Sequence, residues 1–128
     1  MSRRSASRVA SLRHAFAGLG HMLRTQPDAR IHAAITLSVI ILGTWLDLGR
    51  IEWAILWLAI GVVWATEFMN TALEALIDLT SPDVHPLAKI GKDVAAGAVL
   101  LAAGATAVAG FFILGPPLWV RIIGSDIR

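Results

Sequence analysis

The chain alternates long apolar runs with short polar breaks. Residues 31–49 carry a single acid, Asp47, near their end. A second run starts at Ile51 and meets no breaker until Ser81-Pro82. One helix over 51–79 is therefore predicted, about 43 Å long at 1.5 Å per residue. Its strictly apolar part, 53–66, spans only about 21 Å, short of the ~30 Å hydrocarbon core. The last turns must then cross the inner half of the bilayer and the headgroup layer. A third run, 94–114, has about the 20 residues a span needs. Its alanines and glycines, among them Ala95, Gly97, Ala102 and Gly104, suit close helix packing. Three spans make a thin bundle with few buried positions, so an oligomer is expected.

Ahead of these runs, Leu12, Phe16, Leu19 and Leu23 recur on one helical face, with Arg13, His21 and Arg24 largely elsewhere. Together with Arg3, Arg4 and Arg8 upstream, this reads as an amphipathic helix lying in the membrane interface. The plainer reading of the segment alone is a simple anchor. Gln26-Pro27-Asp28 then breaks the helix and turns the chain into the bilayer. The predicted fold is an all-α membrane protein of one domain, 1–128. It has an N-terminal interfacial helix within 1–30 and transmembrane helices at 31–49, 51–79 and 94–114.

Composition narrows the function classes. Of the 128 residues, 56% are in the AVILMFWYC set before the 11 glycines are counted, and 16% are charged. Soluble domains hold about 45–50% apolar residues with glycine included, and about 25% charged. A water-soluble enzyme, a disordered chain and a secreted disulfide scaffold are all poor fits. The absence of cysteine removes thiol chemistry and Cys-based zinc sites. The basic balance does not imply nucleic acid, because six arginines crowd residues 1–30 against one acid, Asp28, beside a hydrophobic body. Under the positive-inside rule that terminus is cytoplasmic and the protein is multi-pass in the cell membrane. Lys89 and Lys92 then fall on the inside, and Trp45, Trp53 and Trp119 near the outer interface. Arg121 and Arg128 run slightly against the rule.

The informative feature is the polar end of the second helix. Glu67, Glu74 and Asp78 fall within about 20° of one line, with Asn70 about 60° aside. Carboxylates on an apolar helix at membrane depth are expensive and mark function by default. A structural reading has them paired with Arg or Lys of a neighbouring helix; three acids and an Asn on one stripe weigh against it. Glu67 and Glu74 lie about 10 Å apart along the axis, too far to clasp one ion, so they should have different jobs. In the next loop, Pro82 and Pro86 bracket His85, and Lys89, Lys92 and Asp93 follow at helical spacing. Lys89 fits a snorkelling lysine, whereas Lys92-Asp93, facing the acidic stripe, suits phosphate and metal. Carboxylates and lysines meeting at headgroup depth suit a reaction between a lipid headgroup and an anionic, metal-bound cosubstrate such as a nucleotide. No Walker A or kinase-type glycine loop is present.

The run from Glu67 to Asp78, E-x-x-N-T-A-x-E-x-x-x-D, followed by His85, the Lys92-Asp93 pair and a small-residue helix, resembles the prokaryotic diacylglycerol kinase family. The resemblance covers about residues 10–115. The wording around Arg30-Ile31-His32 and from Ser81 to Lys92 is similar to the undecaprenol kinase branch. It implies an ATP- and Mg²⁺-dependent integral-membrane lipid kinase, a homotrimer with active sites shared between subunits. Glu67 would be the catalytic base and Glu74 the metal ligand. Asn70, His85, Lys92 and Asp93 would contact the nucleotide or groups beside it. His14 stands where many members have Tyr and could pack against a base, and Ala17 stands where they have Lys. Gln26 stands where the family has a metal-binding Glu; its amide oxygen is a weaker Mg²⁺ ligand.

Undecaprenol is the expected acceptor, with diacylglycerol the alternative. A catalytically impaired homologue, lacking the second metal ligand, is a further reading. A competing class is a non-enzymatic membrane protein or proton-coupled transporter, built around one intramembrane Glu. That reading predicts an acid near mid-bilayer and has no use for the polar loop from His85 to Asp93.

Overall fold

A computed structural model describes residues 3–124. They form four helices in chain order: α1 (Arg3–Thr25), α2 (Pro27–Trp45), α3 (Arg50–Thr80) and α4 (Pro86–Ile123). The chain divides into two compact units, Met1–Ala34 and Ile35–Arg128, with the boundary inside α2. Arg128, used above in the charge reading, lies outside the described residues.

In the first unit the break predicted at 26–28 narrows to one residue. The Gln26 N–H still donates to the Met22 carbonyl at 2.9 Å, and Pro27 opens α2 at a position that needs no donor. Arg30 reaches back, its Nε donating to the Leu23 carbonyl at 2.9 Å and its Nη2 to the Arg24 carbonyl at 2.5 Å. The last carbonyls of α1 are thus capped by a cation from the next helix. Leu12, Phe16 and Leu23, on the predicted apolar face of α1, are exposed in the single chain.

The second unit is held by close helix approaches and a few polar bonds. Leu56, Ile60, Val63 and Glu67 form the buried seam of α3, at i, i+4, i+7 and i+11, and Ala95 and Ala102 are buried on α4. The two helices run antiparallel. The Thr106 hydroxyl donates to the Ala59 carbonyl at 3.1 Å near one end of the contact. Gly91 lies against Ile77 near the other, where a Cβ would come within 3.1 Å of Ile77 Cδ1. Elsewhere on α3, Trp64 Nε1–H donates to Thr36 Oγ1 of α2 at 3.1 Å. Gly43 of α2 admits the Trp53 ring so closely that a Cβ would lie 2.9 Å from it.

Two helices, α3 and α4, are long and apolar enough to cross a membrane, and most of their apolar side chains are not covered by the chain itself. Helix bounds depart from the expected segments in instructive ways. The predicted 31–49 helix begins at Pro27 and stops at Trp45. There Asp47 takes a left-handed conformation (φ 57°). The Asp47 N–H donates to the Thr44 carbonyl and the Leu48 N–H to the Gly43 carbonyl, the closing pattern of a Schellman turn. The 51–79 helix is Arg50–Thr80, nearly as expected. The 94–114 segment sits inside a much longer helix. His85 caps that helix upstream, so its first polar turns are helical. Downstream it continues past residue 114 and through Pro116-Pro117 to Ile123.

Candidate functional site

The polar stripe on α3 has the predicted register, and burial grades along it. Glu67 is 3% exposed, the one buried charged residue among those described. It extends the apolar seam by one turn, where an ionisable group is retained only against a large desolvation penalty. One turn further, Asn70 Nδ2 donates to Glu74 Oε1 at 3.3 Å. The Asn70 Oδ1 is buried and has no hydrogen-bond partner, an acceptor kept dry at some energetic cost. The stripe ends at the exposed Asp78.

Across the loop, the start of α4 supplies the second half of the cluster. His85 is its N-cap, in extended conformation, and its Nδ1 accepts from the Leu87 N–H at 3.2 Å. With Nδ1 accepting, the ring's N–H donor is Nε2. Lys92 Nζ donates to Asp78 Oδ1 across the helix pair, and Lys89 Nζ to Asp93 Oδ2 at 2.5 Å along α4. Lys89, expected as a snorkelling lysine, is half of an exposed i, i+4 ion pair. Asp78, Asp83, His85, Lys89, Lys92 and Asp93 are among the residues lining a cleft of about 300 Å³ between the end of α3 and the start of α4. Lys89 and Lys92 are the only lysines in the chain.

Five of the eight expected site residues thus lie on α3 and α4, and a sixth, His85, caps α4. Glu67 and Glu74 stay two turns apart, and Asn70 lies between them. His14, exposed on α1, and Gln26, half-buried at the α1–α2 break, belong to the first unit. Among the described residues no three Asp, Glu or His side chains converge. The oxygens of Glu74 and the unpartnered Asn70 Oδ1 are the donors this part of the chain offers to a hard cation. The residue whose part in the cluster the sequence left unassigned is Asp78. Its place on the stripe was visible, but its ionic partner depends on how α4 registers against α3.

Residues 13–114 match the prokaryotic diacylglycerol kinase family, a span that crosses the boundary between the two units. The chain is 41% identical over 105 residues to an undecaprenol kinase of Bacillus subtilis (strain 168), covering 82% of this chain and 85% of that protein. It is 45% identical over 111 residues to a diacylglycerol kinase of Synechocystis sp., covering 86% of this chain and 63% of that one. A diacylglycerol kinase of Escherichia coli (strain K12) is 35% identical over 69 residues, 56% of its length.

Proposed function

Because the chain belongs to the prokaryotic diacylglycerol kinase family, we propose that it transfers the γ-phosphate of ATP to the hydroxyl of a membrane lipid, with undecaprenol as acceptor. The observation that carries this reading is Glu67, a carboxylate buried on an apolar helix beside a hydrogen-bonded Asn70–Glu74 pair. In the proposed reaction the lipid hydroxyl oxygen attacks the γ-phosphorus. Its proton passes to the Glu67 carboxylate, and the bond to the β,γ-bridging oxygen breaks to release ADP. Glu74 and Asn70 would hold Mg²⁺ with the phosphates, since their oxygen-only donor set and the free Asn70 Oδ1 suit a hard cation that takes few protein ligands. Gln26 would be a weak further ligand. When bound, the ion neutralises charge on the transferring phosphoryl group. His85 Nε2, Lys92 and Asp93 would contact the nucleotide, and His14 its base.

The same reading has α2, α3 and α4 as three membrane spans and α1 as an interfacial helix, with the arginine-rich N-terminus cytoplasmic in a multi-pass cell-membrane protein. One domain, 1–128, would assemble as a homotrimer sharing its active sites. The uncovered apolar faces of α3 and α4 support burial against lipid and neighbouring copies. The 45% identity to a diacylglycerol kinase keeps diacylglycerol as the second acceptor to test.

Purified protein in detergent, given ATP and Mg²⁺, should form lipid phosphate from undecaprenol faster than from diacylglycerol; turnover of neither refutes the reading. Glu67→Gln should lower kcat by about 10²- to 10⁴-fold, the usual worth of a general base, without changing the assembly. Activity within a few-fold of wild type would remove Glu67 as the base.

A further inference from the structure

Lys92 is one of two lysines in the chain, and it is not free to meet a ligand without giving something up. Its Nζ is engaged by Asp78 Oδ1 across the α3–α4 contact. The neighbouring carboxylate that could compete for it, Asp93, is held by Lys89. Beside this pair the Ile77 side chain reaches Gly91, where a Cβ would lie 3.1 Å from Ile77 Cδ1. Asp78 and Lys92 each follow one of these contacting residues. Both line the loop cleft, and their side chains are 66% and 38% exposed. An exposed ion pair of this kind contributes little to stability, about 0–1 kcal/mol. Stability alone therefore gives little reason for aiming the acid at this lysine.

Resting on the kinase reading above, we propose that Asp78 is a positioning residue, the resting counter-ion of Lys92, which the phosphates of the nucleotide displace. The carboxylate holds the ammonium at the cleft mouth while the site is empty. A polyphosphate carries more negative charge and offers several acceptor oxygens, so it takes the ammonium over. Asp78 then competes with the nucleotide for one cation, and this weakens binding in the ground state. The effect must act through Lys92. General repulsion between Asp78 and a polyphosphate would instead operate whether or not Lys92 were present.

A double-mutant cycle separates the two. Equilibrium binding of a non-hydrolysable ATP analogue with Mg²⁺ is measured on the detergent-solubilised full chain. The set is wild type, Asp78→Asn, Asp78→Ser, Lys92→Met and the double variant Asp78→Asn/Lys92→Met. Either neutral residue at 78 should tighten binding at least threefold when Lys92 is present and leave it unchanged when residue 92 is Met. Asp78→Glu, which keeps the charge, should bind within twofold of wild type. Equal tightening in both backgrounds, or none in either, overturns the proposal. Loss of binding in Asp78→Asn and Asp78→Ser also overturns it, since Asp78 would then be needed for binding itself. Failure of the wild-type chain to bind the analogue at all is a different result, and it brings down the kinase reading on which the proposal stands.

Discussion

His85 divides its two ring nitrogens between separate tasks. Nδ1 accepts the Leu87 N–H and closes the N-terminus of α4, while Nε2 is the proposed nucleotide donor. The two tasks can be separated by substitution. Asparagine is among the best N-caps, and an alanine cap costs about 1 kcal/mol. His85→Asn should keep the thermal midpoint of wild type while raising the KM for ATP severalfold; His85→Ala should lower the midpoint as well. An unchanged KM in the Asn variant would confine His85 to capping. The same scale shows why the site was only half legible. Glu67, Asn70, Glu74 and Asp78 fall on one stripe because helical spacing is arithmetic. Partner choice is not: Lys92 has Asp78, Asp83 and Asp93 nearby in sequence, and only the register of α4 on α3 selects Asp78. Lys89, by contrast, pairs with Asp93 at i+4 along its own helix, a spacing that the sequence alone displays.

At the scale of elements, composition reports apolar runs well and helix ends less well. The 51–79 helix was nearly right because nothing along it competes with helix geometry. The segment expected at 31–49 lies four residues late at both ends of α2, since neither Pro27 as a helix starter nor Asp47 as a left-handed terminator interrupts hydrophobicity. The third apolar run ends at residue 114, yet α4 runs on through Pro116 and Pro117 to Ile123. Prolines inside membrane helices are tolerated when surrounding groups satisfy the released carbonyls. Asp47 offers a direct test. A non-glycine residue in the left-handed region costs roughly 1–2 kcal/mol, less for Asp than for most. Asp47→Gly should therefore stabilise the α2–α3 turn by about 0.5–1 kcal/mol, read as a raised thermal midpoint in detergent with activity unchanged. A lowered midpoint would mean that the Asp47 side chain itself holds the turn.

Across the whole molecule, charge is scarce and concentrated. Six arginines sit in residues 1–30, and seven of the 20 charged residues lie between Glu67 and Asp93. The exposed apolar flanks of α3 and α4 call for an apolar surrounding, and under the proposed kinase reading the nucleotide chemistry would be a surface reaction at one leaflet. Gln26 tests how far the first unit takes part. Gln26→Glu should lower the Mg²⁺ concentration for half-maximal activity, and an unaltered metal titration would take position 26 out of the ion's surroundings. The placement of the two lysines has a practical consequence of its own. In a chain with no cysteine and no lysine besides Lys89 and Lys92, an amine-directed fluorophore has side-chain targets only at the mouth of the α3–α4 cleft, besides the terminal amine. Amine labelling thus probes this cleft selectively among the side chains, and because it removes the charge of Lys92, the label marks the site at the expense of the proposed nucleotide contact.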